Sequence, residues 1–257
     1  MRFLLFAVFF GCGGTIAAGS DAGTNDAASD APIPDAGFKS SLSFEGFGQG
    51  TFFGSFYANA QQATGGCQQT SSGACTVSSC AAVGPQTLAS AGTLTLTVNG
   101  SSVATSTPNV QGGGYYMTSP LVFTPGDVLG VSGSGADVPA FATRTITAPS
   151  KIAVATPSVI STSQDLTLTW TGGESDAKVI IGIARGAFNG STSVSCTFDA
   201  TAGTGTVPKA QLASMQSGVL TGNLTVGQQR TTTFASGAFV IDLSAIEDDD
   251  SYITFQQ

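Results

Sequence analysis

The sequence predicts an all-β protein, two antiparallel β-sandwich domains behind a disordered tether, and three observations carry that expectation. Only 9% of residues are charged, while 34 glycines and abundant Ser and Thr suit short strands and turns better than helices. In GTLTLTVNG, Leu94, Leu96 and Val98 share one face and Thr93, Thr95 and Thr97 the other, as in a half-buried strand. The same alternation returns at residues 165–170, with Leu166, Leu168 and Trp170 inward and Thr167, Thr169 and Thr171 outward.

The chain opens MRFLLFAVFFGCGG. Arg2 gives a positive start, residues 3–10 are an unbroken apolar run, and Gly11-Cys12 closes it. Eight residues at a helical rise make about 12 Å, against roughly 30 Å for a bilayer core, so the run reads as an export signal. The Gly-Cys pair predicts lipoprotein-type cleavage after Gly11 and acylation of the Cys12 thiol. Ordinary cleavage near Ala17-Ala18-Gly19, with Cys12 discarded, is the competing reading. Net charge is −8, one unit more negative once Arg2 leaves with the signal, so nucleic acid and anionic headgroups are expected to repel the chain.

The layout expected is a signal at residues 1–11, the lipidated cysteine and tether at 12–39, and sandwich domains at 40–148 and 149–257. Residues 20–34, SDAGTNDAASDAPIP, bury too little apolar area to offset chain entropy. As a flexible coil, the span from Gly13 to Lys39 reaches about 30 Å.

Phe44, Phe47, Phe52, Phe53 and Phe56 predict one or two opening strands, followed by a loop-like segment carrying Cys67, Cys75 and Cys80. Asn99-Gly100 supplies the positive φ angles of a tight hairpin. Further strands are expected at 115–123 and 128–132 around a Pro125-Gly126-Asp127 turn, and at 144–147, with Ala148-Pro149 as the domain boundary. In the second half, strands are expected at 178–184, 193–199, 224–226, 239–243 and 252–255. Val207-Pro208 leads into a short helix with Leu212 and Met215 on one face and Gly218 beyond its end.

A resemblance runs through these segments. The Gly-Cys start, the Asp-Ala-Gly spacer, CTVxxC at residues 75–80, PGDVLGVSGSGADVPAF at 125–141, and LTWTGG followed by CTFDATAGTGTVPKAQL are similar to uncharacterised lipoproteins of the myxobacterial type. The resemblance implies an outer-membrane or cell-surface location and β-sandwich (Ig-like) domains, and it brings no catalytic residues.

The chain contains no histidine, which removes Ser-His-Asp and Cys-His nucleophile activation and imidazole metal ligands. Lys151, Lys178 and Lys209 leave Ser-Lys catalysis formally open, but none stands in a motif. Glu45, Glu174 and Glu247 are the only glutamates available for glycoside hydrolysis, each in a Gly-rich or polar stretch that reads as a solvated turn. No enzyme activity and no cofactor are expected. Glu247-Asp248-Asp249-Asp250 reads as a solvated turn before the last strand, or as a calcium loop without the usual ligand spacing.

Cys67, Cys75, Cys80 and Cys196 are disulfide candidates in an oxidising compartment, with three pairings possible. A bridge among the first three is expected, and closing Cys67 to Cys80 would contribute about 3 kcal/mol. Cys196 is then either an inert buried thiol or the far end of a cross-domain bridge. Trp170 belongs in the core. Tyr115 and Tyr116 are the candidate ligand contacts, because adjacent strand residues face opposite ways. The function expected is a non-catalytic cell-envelope lipoprotein, held to the membrane through Cys12, acting as a structural or protein-interaction module. A carbohydrate-binding or adhesion-type surface domain is the alternative.

Overall fold

The computed structural model describes residues 38–46, 50–57, 67–81, 88–108, 116–187, 190–215 and 221–256. The signal, Cys12, most of the tether, Phe47, Tyr115 and Gly218 lie outside them. Before the expected boundary come β1 (Phe38–Gly46), β2 (Gly50–Phe56), β3 (Cys67–Ser72), β4 (Cys75–Ala81), β5 (Leu94–Val98), β6 (Ser101–Ser106), β7 (Tyr116–Leu121), β8 (Val128–Gly133) and β9 (Phe141–Thr147). After it come β10 (Ala153–Val154), β11 (Val159–Ser161), β12 (Leu166–Thr171), β13 (Lys178–Ala187), β14 (Gly190–Asp199), β15 (Thr204–Val207), α1 (Lys209–Leu212), β16 (Thr221–Ser236) and β17 (Phe239–Gln256). The protein is all-β, as its Thr-flanked alternation predicts.

One ten-stranded sheet organises the molecule, in the order β3-β4-β14-β13-β16-β17-β1-β2-β7 with β11 also on β17. A four-stranded sheet, β6-β5-β8-β9, and a three-stranded one, β10-β12-β15, complete a sandwich-like layout. The pairings β1–β17 and β11–β17 are parallel, so the large sheet is mixed where a purely antiparallel one was expected. Parallel partners are distant in sequence, and no local pattern announces them. An Ig-like strand order is not evident among the described residues.

The axis of the large sheet is the hairpin β16–β17, of 16 and 18 residues. At strand rise the longer arm extends about 60 Å. Its two-residue turn holds Gly237 at φ 59°, a left-handed conformation that glycine adopts without Cβ strain. The arms pair without a register break. Ile241, Leu243 and Ala245 therefore share a face of β17 with Ile253 and Phe255, yet the first three join one core and the last two another. On β16, Phe234 joins the first core and Leu224 and Val226 the second. Both cores thus lie on the same side of the large sheet.

The first core packs Leu42, Phe44, Phe52, Phe56 and Tyr116 against Leu94, Leu96, Leu129, Val131 and Ile146. Aromatic contacts order it: Phe44 and Phe52 lie 5.0 Å apart, and Phe56 meets Tyr116 edge-on at 5.6 Å. The second packs Val179, Ile181, Ile183, Val194, Leu212 and Met215 around Trp170, whose indole N–H donates to the Ala200 carbonyl at 2.7 Å. Burying the one tryptophan with its polar atom satisfied matches the expectation from residue parity.

Ala148-Pro149 is where the chain passes from one core to the other, but chain segments cross back over this point. Phe234 to Ala245 return to the first core, and Cys75 from the first half joins the second. The strands expected at 239–243 and 252–255 are the two ends of β17, and the Glu247–Asp250 run is its middle. The segment expected as a loop around Cys67 is the hairpin β3–β4, closed by Gly73 at φ 58°.

Candidate functional site

Between the two cores the long hairpin changes character without changing face. In step with Leu224, Val226 and Phe234, β16 places Gln228 and Arg230; in step with Ala245 and Ile253, β17 places Glu247, Asp249 and Ser251. These polar side chains form a waist where the linker crosses.

Gln228 is fully buried and fully bonded. Its Oε1 accepts from the Glu174 N–H at 2.9 Å, and its Nε2 donates to the Ser150 carbonyl at 3.1 Å and to Glu174 Oε2 at 2.9 Å. The Ser150 hydroxyl donates to Glu174 Oε1 at 2.8 Å. Arg230 Nη2 lies 3.0 Å from both Glu174 Oε2 and Asp176 Oδ1, and its Nη1 donates to the carbonyls of Thr147 and Ala148 at 3.2 Å. Charge-assisted bonds to a carboxylate and two carbonyls fix the linker to β16. Glu174 is therefore a structural acid with its oxygens occupied. On the other arm Lys151 pairs with Asp249, and Thr156 shares a hydrogen bond with Ser251 at 3.1 Å.

The opposite face of β17 carries the second feature. Asp248 is only 8% exposed, sits opposite Gly227, and its Oδ1 has no hydrogen-bond partner. Burial pushes its carboxyl up to about 8, helped by the charges of Asp250, Glu45, Glu247 and Asp249. Glu45 on β1 is pushed up to about 7, mainly by burial; a hydrogen bond from Ser43 opposes the shift and Asp250 adds to it. Glu247 is raised too, by burial, with Lys151 acting against the shift. Asp248 and Glu45 thus retain protons near neutral pH, where ordinary acids are ionised.

The acidic run is thus a strand and not a turn or a ligand loop. Successive side chains on a strand point to opposite faces, so its four carboxylates do not converge. Among the described residues no group of three Cys, Asp or Glu side chains is placed to hold a metal. Of the three candidate lysines, Lys151 and Lys178 are exposed and paired with Asp249 and Asp199. At the start of α1 the backbone N–H of Lys209 donates to Asp165 at 2.7 Å.

All four candidate cysteines pair, Cys67 with Cys80 and Cys75 with Cys196. The first closes the β3–β4 hairpin and is the bridge expected among the first three cysteines. The second makes Cys196 the far end of a bridge spanning 121 positions and crossing the expected boundary. Tyr116 points inward, fully buried; its hydroxyl accepts from the Ala91 N–H at 2.8 Å and donates to the Gly92 carbonyl at 2.9 Å. It presents no face to a ligand, and its neighbour Tyr115 lies outside the described residues. Among the described residues the exposed aromatic ring of this sheet is instead Tyr252, 83% accessible and two positions from Asp250. Its opposite parity to the buried Ile253 and Phe255 was the available signal for it. No model of a known protein family matches the chain, and no curated protein sequence matches it.

Proposed function

We propose that this chain is a non-catalytic lipoprotein of a bacterial cell envelope, anchored through Cys12 and acting as a structural or protein-interaction module. The observation that carries the reading is the pair of disulfides, which belong to an oxidising compartment outside the cytoplasm. The signal-like start and the Gly11-Cys12 pair supply the route and the anchor, and the resemblance to myxobacterial-type lipoproteins agrees with both. The absence of histidine favours a binding role over general acid–base chemistry. The experiment is fractionation of cells expressing the full chain and its Cys12→Ala variant. The wild type should sediment with membranes and label with a fatty-acid probe, and the variant should do neither. Equal behaviour of the two would refute the anchor.

A second reading, carbohydrate binding or adhesion, is favoured by Tyr252, an exposed aromatic ring beside carboxylates on an open sheet face. It requires that a glycan array give signals that Tyr252→Ala abolishes. A blank array would dismiss it.

A further inference from the structure

Strand edges expose unpaired backbone groups, and proteins usually blunt them with charges, prolines, bulges or short length. Most edges here are blunted. At the β7 end of the large sheet lie Pro120, which has no N–H to offer a further strand, and a register break between Gly50 and Phe52. In the four-stranded sheet, β6 pairs through a break at Leu96/Thr97 and β9 through one at Val131/Gly133.

The β3 edge has none of these devices. Cys67 to Ser72 pair with β4 in unbroken register, and among the described residues no strand lies on the other side. Gln68 to Ser72 are all exposed. No Asp, Glu, Lys or Arg occurs between Glu45 and Asp127, and no proline interrupts residues 67–81. Disulfides fasten β3 to β4 and β4 to β14, so the edge is held extended.

We propose that β3 is a self-association edge, pairing antiparallel with β3 of a second copy and continuing the large sheet across a two-fold axis. The choice of partner rests on charge. Copies of a chain at −8 repel through most of their surface, but a neutral edge brings no like charges together when two copies meet there, and it carries no charge to favour an oppositely charged partner. The register follows from the turn. A two-residue hairpin makes Ser72 and Cys75 a hydrogen-bonded pair, so by alternation Gln69 and Ser71 aim their N–H and C=O groups away from β4. A two-fold axis at Thr70 sets Gln69 against Ser71 of the second copy and Ser71 against its Gln69, giving reciprocal backbone hydrogen bonds. Thr70 then faces its own copy in a non-hydrogen-bonded pair, where the Cα atoms come within about 4.5 Å. Threonine is a favourable residue in such a position.

Sedimentation equilibrium on the full chain carrying Cys12→Ala, to remove the lipid, should show a concentration-dependent dimer. Thr70→Lys, which puts two ammonium groups on the axis, should weaken it by at least about tenfold. Thr105→Lys, on the exposed side of β6, should leave it intact. Thr70→Cys should cross-link on oxidation, because that Cα spacing suits a disulfide, whereas Gln68→Cys should not. A monomer at every concentration, a dimer unaffected by Thr70→Lys, or cross-linking by Gln68→Cys in place of Thr70→Cys would overturn the proposal. Far-UV circular dichroism confirms that each variant is folded.

Discussion

Arg230 donates from Nη1 to the Ala148 carbonyl at 3.2 Å, so the linker between the two cores is bonded directly to the strand that serves both. A guanidinium only 15% exposed, shared with Glu174, Asp176 and two backbone carbonyls, makes this crossing a clamp rather than a hinge.

Arg230→Ala should therefore cost about 2–3 kcal/mol, because it leaves Glu174 without its cation and two carbonyls without their donor. Urea unfolding followed through Trp170 fluorescence measures it. A loss under half a kilocalorie would mean that water replaces the guanidinium freely. Gln228→Leu should destabilise by a similar amount, by orphaning the Glu174 N–H and the Ser150 carbonyl.

Stability should fall as pH rises from about 4 to about 8. Folded Asp248 titrates near 8 against 3.8 for the free group, and Glu45 near 7 against 4.5. In that window the folded chain holds protons that the unfolded chain has released, so raising the pH favours unfolding; above about 8 the effect is complete. With no histidine present, few other groups titrate between pH 5 and 8. The melting temperature should be higher at pH 5 than at pH 8.5, and Asp248→Asn should flatten the profile and raise the value at pH 8.5. An unchanged slope in Asp248→Asn would exclude this carboxyl as the source.

The two disulfides should differ in worth. By the loop-entropy relation, a bridge across 121 positions contributes about 5 kcal/mol and one across 13 about 3 kcal/mol. Cys75→Ala/Cys196→Ala should thus lower the urea midpoint more than Cys67→Ala/Cys80→Ala. Peptide mapping without reduction should recover both linkages, and a 67–75 or 80–196 peptide would contradict the pairing.

Tyr116→Phe removes one oxygen that bridges the Ala91 N–H and the Gly92 carbonyl in the first core. It should cost about 1–2 kcal/mol with no change in secondary structure. Equal stability of the two forms would mean that those backbone groups find other partners.

Where apolar and hydroxyl residues alternate, the sequence was legible: β5, β12 and β14 stand where the Thr-flanked patterns put them, and the burial of Trp170 follows from parity, while the cysteines gave a bridge among Cys67, Cys75 and Cys80 without its partners. The long hairpin was not. Its middle reads Gln228-Gln229-Arg230-Thr231-Thr232 on one arm and Glu247-Asp248-Asp249-Asp250 on the other, with no apolar period to mark a strand. Such segments extend only because apolar residues at both ends dock on separate cores and draw the polar centre straight between them. The β3–β4 hairpin escaped for a related reason: its stability comes from covalent bridges, and its own side chains bury little. The waist around Gln228 and Arg230 could have been suspected only by noticing polar residues in step with Leu224, Val226 and Phe234.

The parallel pairing of β1 with β17 has a mechanical meaning. Any pull transmitted from upstream enters β1 at Phe38, runs along its axis, and is resisted by a ladder from Phe38–Phe239 to Gly46–Glu247. Those bonds lie across the line of force and are loaded together in shear, instead of being peeled open one after another. For a chain anchored as proposed above, that shear-loaded ladder is where the tether would meet the fold.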